Sequence, residues 1–143
     1  MMENIMKPII GCIESCTLSD LGITDLNVRV DTGAKTSSLH VDNLTKYVEN
    51  DITMVKFDIH PDSHNVDTVV ACKAKVVDIR KIKSSNGGSE QRYVIKTPIK
   101  LGDHHWEIEI TLTNRSGMNY LMLLGREGLE NRFLVDPAEV FLH

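Results

Sequence analysis

The chain has 143 residues, of which 41% are hydrophobic and 25% charged, and its formal net charge is -4 at pH 7. This length allows one domain, residues 1–143, to bury a hydrophobic core without metals or disulfides. The composition is that of a globular protein and argues against long disordered segments. Because the net charge is negative, neither nucleic acid nor an anionic membrane is an expected partner.

The N-terminal segment MMENIMKPIIGC lacks the basic region and the sustained apolar stretch of a signal peptide. No segment of the sequence reaches the roughly 18 consecutive apolar residues that a membrane span needs. The three cysteines, Cys12, Cys16 and Cys72, form no CxxC pair, and their odd number favours a reducing compartment over a disulfide framework. We therefore expect a soluble, cytoplasmic protein.

Short apolar and alternating patterns in the first half of the chain predict β-strands. PIIGCIESCTL is an apolar run that ends at the turn-like SDLG. In LNVRV, apolar and polar residues alternate, and the strand leads directly into Asp31. SSLHV resumes an extended chain. ITMVKFDIH is typical of a half-buried antiparallel strand, and its predicted inward residues are Val55, Phe57 and Ile59.

The second half contains the strongest hairpin signal. TVVACKAKVVDIRKIK is predicted to be one long strand and RYVIKTPIKL the next, on either side of the Asn-Gly-Gly turn in SSNGGSEQ. LMLLG is predicted to be buried on both faces, REGLENR to form a short helix, and FLVDPAEVFLH to be a strand with a turn at Asp136 and Pro137. A further turn is predicted at GDHH, before WEIEITLT, whose apolar face consists of Trp106, Ile108, Ile110 and Leu112.

Regular short strands of this kind predict an all-β fold, closed as a barrel, with one short C-terminal helix. At the end of LNVRV, Asp31 precedes Thr32-Gly33-Ala34, a tight turn in which the glycine allows another backbone to approach. Asp and Gly are common turn residues, so this triplet on its own is most simply a turn. The later YLMLLGRE, on its own, is most simply a core strand that ends at a glycine before a helix.

The combination is more specific than either motif. An apolar strand, Asp-Thr-Gly-Ala, a glycine-tipped hairpin and apolar-apolar-Gly-Arg before a helix resemble, in that order, the retropepsin-like aspartic proteases. The resemblance implies a closed acid-protease barrel in which the hairpin is a flap over the substrate. It assigns catalysis to Asp31, Thr32 and Gly33, and bracing of the aspartate loop to Leu124, Gly125 and Arg126.

One bacterial branch is more similar still. The segments DTGAKTSSLH, SSNG and WEIEITLTNRSGMNYLMLLGRE resemble a family named ATP-dependent zinc proteases, which is associated with RimK-type ATP-grasp glutamate ligases. The resemblance covers nearly the whole chain. It implies hydrolysis of peptides, including the glutamate tails that such ligases add to proteins.

Aspartic proteolysis requires two carboxylates that share one proton, whereas this chain contains one Asp-Thr-Gly. We therefore expect a two-fold homodimer in which Asp31 meets its symmetry mate. Thr32 is expected to form a hydrogen bond across the axis, and Gly33 to leave room for the substrate backbone.

Lys35 is a departure from the retroviral pattern, in which an acid follows Asp-Thr-Gly-Ala and pairs with the arginine of the later motif. With lysine in that position, Arg126 is expected to bind Glu127, Asp136 or a backbone carbonyl instead. Lys35 also adds a cation at the rim of the predicted substrate groove.

A basic rim and a polar flap make up the remainder of the predicted substrate site. Arginines there would bind the carboxylates of an acidic substrate bidentately, although each cation also fits an ordinary solvated surface. The flap residues could hydrogen-bond the substrate backbone, or the flap could be a plain solvent hairpin. The predicted substrate-binding residues are Ala34, Lys35, Arg80, Ser84, Ser85, Asn86, Gly87 and Arg92.

Neither a metal nor a cofactor is predicted. HExxH and a P-loop are absent from the sequence, Pro61 argues against a helix joining His60 to His64, and the adjacent His104 and His105 are expected in a turn. Zinc held by the first two cysteines and a histidine stays an alternative. Two other functions also stay open: a dimeric module that binds acidic peptides without cutting them, and a metallohydrolase that uses the histidines.

Overall fold

The computed structural model describes residues 6–61, 68–83, 87–114 and 120–143, and β-strands make up most of these ranges. Within them no helix is both long and apolar enough to cross a membrane. The elements in chain order are β1 (Ile9–Leu18), a 3₁₀ turn (Ser19–Leu21), β2 (Ile23–Val30), β3 (Ser37–His40), β4 (Asp42–Glu49), β5 (Ile52–Ile59), β6 (Val70–Lys75), β7 (Asp78–Lys83), β8 (Ser89–Leu101), β9 (His104–Thr113), β10 (Met122–Leu124), α1 (Arg126–Leu129) and β11 (Leu134–Val140).

The strands form two sheets. Eight of them are ordered β11-β1-β2-β10-β3-β9-β8-β7, and the other three are ordered β4-β5-β6. The larger sheet closes on itself, because Thr17 of β1 also pairs with Lys100 of β8. The predicted all-β class with one short helix is therefore confirmed, and so is the pairing of β7 with β8 as an antiparallel hairpin.

Alternating burial turns the apolar faces of both sheets toward one shared core. β10 departs from the prediction of burial on both faces, because Leu123 is partly exposed between its buried neighbours. The residues of β5 and β9 that were predicted to face inward are all buried: Val55, Phe57, Ile59, Trp106, Ile108, Ile110 and Leu112.

The prediction of one long strand over residues 68–83 is wrong. β6 ends at Lys75 in the smaller sheet, and β7 begins at Asp78 in the larger one. The Val76 amide donates to the Thr53 carbonyl at 3.0 Å, whereas the next amide, of Val77, donates to the Val94 carbonyl at 2.8 Å. The chain therefore passes from one sheet to the other between two valines. Their β-propensity concealed the break, since either valine suits an extended backbone.

The turn predicted at GDHH is shorter than expected. Gly102 has a φ of +59°, a conformation that favours glycine, but the two histidines already belong to β9. His104 pairs with Leu101, and His105 pairs with Lys100. The prediction that these histidines lie in a turn is therefore wrong.

The turn predicted at Asp136 and Pro137 lies inside β11, which continues through both residues. The pairing with β1 nevertheless shifts there, because Gly11 is opposite Asp136 and Ile13 is opposite Val140. Two residues of β1 are thus matched by four of β11, and the Ala138 amide donates to Asp136 Oδ1 at 2.9 Å within this irregularity.

Glu14 is a buried carboxylate that the sequence patterns did not single out. It is 0% exposed, and it accepts hydrogen bonds from the amides of Gly11 at 2.8 Å, Leu142 at 2.9 Å and His143 at 3.1 Å. A buried carboxyl group is tolerated when its oxygens are hydrogen-bonded in this way. Glu14 therefore fixes the segment after β11 against β1.

Candidate active site

Asp31 lies immediately after β2, on a turn that holds its side chain. The Asp31 amide donates to the Leu124 carbonyl at 2.9 Å, and its Oδ1 accepts from the Gly33 amide at 3.0 Å. The Ala34 amide closes the turn on the Asp31 carbonyl at 3.2 Å. The carboxylate is half-buried, whereas Thr32 and Gly33 are exposed. The loop therefore presents one oriented acid at the surface.

The segment after β10 supports this turn from behind. β10 runs parallel to β2, with Leu124 opposite Val30. Beyond it, the Arg126 amide donates to the Ala34 carbonyl at 2.8 Å, and the Glu127 amide donates to the Lys35 carbonyl at 3.0 Å. These contacts join the two motifs that the resemblance implied would act together.

The Arg126 side chain binds the aspartate loop directly. Its Nη1 donates to the carbonyls of Thr32 at 3.1 Å and Gly33 at 3.2 Å. Of the partners expected for this arginine, the structure therefore has the backbone carbonyls. Lys35 is exposed, and main-chain carbonyls bind the Arg126 guanidinium instead of a side chain at position 35.

Gly125 allows the closest approach in the site. A Cβ added there would lie 2.7 Å from both the carbonyl carbon and the oxygen of Thr36, and 3.0 Å from the Ala34 carbonyl oxygen. Its amide donates to Ser37 Oγ at 3.0 Å, and Thr111 Oγ1 donates to the Ser37 carbonyl at 3.0 Å. Sequence reasoning missed the buried Ser37. A serine at a core-facing position next to the motif was the available signal.

A cavity of about 390 Å³ opens beside the aspartate. Sequence reasoning did not find this cavity, because its walls come from distant parts of the chain. Its lining residues are Cys12, Ile13, Arg29, Val30, Asp31, Thr32, Tyr120, Val135 and Pro137.

Arg80, predicted to bind substrate, lines a different and smaller cavity of about 120 Å³ with Glu109 and Glu127. Its Nη2 lies 2.6 Å from Glu109 Oε1, and its Nε lies 2.9 Å from Asp78 Oδ2. The hydrogen bond with Glu109 raises the pKa of Arg80, and the hydrogen bond from Arg80 lowers the pKa of Asp78. This guanidinium is therefore already paired within the chain.

Arg92, also predicted to bind substrate, is buried, and its Nε lies 3.1 Å from Glu90 Oε2. The β7–β8 hairpin keeps its register up to the pair Lys83 and Ser89. Gly87 follows with a φ of +87°. The other predicted flap residues, Ser84, Ser85 and Asn86, lie outside the described residues.

The histidines and cysteines form no metal cluster in the described ranges, where no group of three or more His, Cys, Asp and Glu side chains could hold an ion. His40 and His60 both approach Asp42, at 3.8 Å and 3.1 Å. His64 lies outside the described residues.

The three cysteines differ in environment. Burial raises the pKa of Cys16 to about 12, and its Sγ lies 3.9 Å from Met122 Sδ. Burial, followed by the charge of Asp58, raises the pKa of Cys72 to about 11. Cys12 is half-buried and lines the large cavity. The thiol at the cavity is therefore the accessible one.

Alkylation with iodoacetamide at pH 8 is expected to modify Cys12 first in the folded protein. The thiolate is the reacting form, and at this pH Cys16 and Cys72 are protonated as well as buried. Peptide mapping by mass spectrometry, with and without denaturant, measures the three rates. Modification of Cys16 as fast as Cys12 in the folded protein would contradict the assignment.

Comparison with known proteins places this geometry in a family. Residues 9–143 match the RimB-like family model, described as retropepsin-like aspartic endopeptidase RimB. That description names neither zinc nor ATP, so the zinc-protease part of the expected resemblance has no support here.

Similar proteins include those named probable alpha-L-glutamate ligase. The one from Shewanella pealeana is 49% identical over 135 residues, and the one from Desulfotalea psychrophila is 46% identical over 138 residues. These matches cover 94% and 96% of this chain but 30% of each relative, so the chain spans less than a third of their length.

The fold is also similar to a solved structure. The crystal structure of Lpg0085 from Legionella pneumophila, described as a protein with unknown function, matches with a TM-score of 0.79 and 33% identity, covering 96% of this chain and 98% of that one. The chain therefore belongs to the RimB-like family of retropepsin-like aspartic endopeptidases.

Proposed function

We propose that the protein is a peptide hydrolase of the aspartic type that acts as a homodimer, with one Asp31 from each subunit. The observation that carries the proposal is the Asp31 turn, whose carboxylate accepts from the Gly33 amide while Arg126 holds the loop carbonyls. Such a loop keeps an acid in a defined position at the surface.

The chemistry follows from two carboxylates held close together. Since two like charges a few ångströms apart resist ionising together, the pair shares one proton. The ionised carboxylate takes a proton from a water molecule, and the oxygen of that water attacks the peptide carbonyl carbon. The protonated carboxyl group donates its proton to the carbonyl oxygen. The tetrahedral intermediate then collapses, and the leaving amine takes up a proton as the C–N bond breaks. The two groups titrate as a pair.

Two surface features support a second copy as the source of the other aspartate. Thr32 and Gly33, beside Asp31, are exposed. β11 is an edge strand of the larger sheet, and its surroundings carry a concentration of exposed apolar side chains. An exposed edge with apolar residues is a typical interaction surface. The exposed apolar residues on and around β11 are Ile9, Leu134, Val140, Phe141 and Leu142.

The substrate class is supported by the relatives. A domain of this family occurs within longer proteins named probable alpha-L-glutamate ligase. A hydrolase joined to a ligase can act on what that ligase makes, so a glutamate-rich tail is the proposed substrate. The exposed Lys35, four residues from the catalytic aspartate, favours an anionic chain over a neutral one.

Hydrolysis of a glutamate oligomer is expected to exceed that of a matched glutamine oligomer by about tenfold or more in kcat/KM, because hydrogen bonds to charged groups are worth about 1.5–3 kcal/mol. Chromatographic quantification of the products measures both rates. Equal rates would contradict the glutamate-rich substrate. Loss of activity after exhaustive chelation would instead favour the metallohydrolase alternative.

A further inference from the structure

Arg29 and Asp31 lie on the same face of the chain. In β2 the side chains of Val28 and Val30 are buried in the core, with exposed fractions of 0% and 5%, while Arg29 is exposed. Because successive side chains of a strand alternate, residues 29 and 31 project to the opposite, open side. Both line the same cavity of about 390 Å³.

The strands on either side define the surroundings of Arg29. It is opposite Ile13 of β1 and opposite Leu123 of β10, and both of these are half-buried. Val135 and Pro137 of β11 add apolar surface to the same cavity. The cavity thus combines apolar walls with one cation and the catalytic carboxylate. A mostly apolar pocket with a few polar groups is typical of a ligand site, and its volume is in the usual range.

Arg29 also differs from the other arginines in the part of the chain that the structure describes. Arg80, Arg92 and Arg132 are each paired with a carboxylate, and Arg126 binds two carbonyls of the aspartate loop. Arg29 forms no ion pair with any of the described carboxylates. Its guanidinium is therefore able to receive a carboxylate from a ligand, in the bidentate geometry that arginine favours.

We propose that Arg29 is a specificity-determining residue that binds a glutamate side chain of the substrate next to the scissile bond; this inference rests on the proposed function. Only one residue separates Arg29 from Asp31, so the carboxylate it binds belongs to a residue beside the bond being cut. In a two-fold dimer each subunit contributes one Arg29, on opposite sides of the paired aspartates. The enzyme therefore selects glutamate on both sides of the scissile bond.

Kinetics on paired substrates test the proposal. Peptides with Glu or Gln at both positions flanking the scissile bond are compared on the wild type, Arg29→Gln and the matched control Lys73→Gln, an exposed cation on β6. Arg29→Gln is expected to lower kcat/KM for the Glu peptide by about 10- to 100-fold and to leave the Gln peptide within about twofold. Lys73→Gln should change neither. Equal losses on both peptides, or no loss, would overturn the proposal.

A second measurement is independent of turnover. Cys12 lines the same cavity as Arg29, so a bound glutamate oligomer is expected to slow its alkylation in the Asp31→Asn protein. Adding Arg29→Gln should abolish that protection. If the wild type cuts no peptide but protection depends on Arg29, the hydrolase proposal fails and carboxylate binding by Arg29 stands. Protection that is absent, or unchanged by Arg29→Gln, overturns the role of Arg29 whatever the enzyme does.

Discussion

Asp31→Asn is expected to lower kcat by about 10³-fold or more while leaving the fold and the dimer intact. The amide cannot take a proton from water, and proton transfer by a positioned group contributes roughly 10²–10⁴-fold to a rate. Asparagine keeps the size of the side chain and can still accept from the Gly33 amide, which is 3.0 Å from Asp31 Oδ1. Initial rates on a glutamate oligomer, with thermal unfolding as the fold control, measure the effect.

Mixing the variant with the wild type tests the shared site. If each centre needs two aspartates, an equal mixture that has exchanged subunits retains about a quarter of the fully active dimers, because pairing is random. Independent monomers would retain about half of the activity. Full activity of Asp31→Asn would contradict aspartic chemistry. An absence of hydrolysis by the wild type, with binding of the glutamate oligomer unchanged by Asp31→Asn, would instead favour the non-catalytic binding module. An activity near half would contradict a catalytic site that is shared between the two subunits.

Gly125→Ala is expected to destabilise the protein by about 1–3 kcal/mol and to reduce activity further than the lost stability accounts for. The new methyl group would lie 2.7 Å from the carbonyl of Thr36 and 3.0 Å from that of Ala34, and both are main-chain atoms that cannot rotate away. Overpacking of this kind typically has that effect on stability. The Arg126 amide donates to the same Ala34 carbonyl, so a displacement of this carbonyl must also shift the aspartate loop.

The matched control is Ile59→Val, a fully buried position in β5 of the smaller sheet. It is expected to lower the free energy of unfolding by about 0.5–1.5 kcal/mol. Denaturant unfolding and kcat per folded molecule are measured for both variants. Ile59→Val should keep the wild-type kcat, whereas Gly125→Ala should not. Equal kcat in both variants would contradict the role of Gly125 in positioning Asp31.

Local patterns were sufficient for most of the strands. The alternation in β9 and β5 is a property of neighbouring residues, and burial follows from it directly. The same patterns failed between Val76 and Val77, where the chain changes sheets while keeping an extended backbone. Which sheet an extended segment joins depends on partners elsewhere in the chain, and valine does not specify them.

Some features of the candidate site were likewise recognisable in the sequence, and others were not. The Asp-Thr-Gly and Leu-Leu-Gly-Arg motifs were recognisable in the sequence, and so was the departure at Lys35. The ion-pair partners of the predicted rim cations were not recognisable in the sequence. Arg80 binds Glu109, which is 29 residues away, and the buried Arg92 binds Glu90. Arg29 is one of the polar residues of the alternating LNVRV segment, and the cavity beside it is formed by four separate segments of the chain.

The sequence by itself determined the all-β class and the acid that follows β2, because each depends on residue type at short spacing. Only the tertiary structure decided which cations are already paired, and that Glu14 holds the amides of Leu142 and His143. It also decided that Arg29 shares a cavity with Asp31. These contacts join distant residues, and their geometry arises only when the core packs.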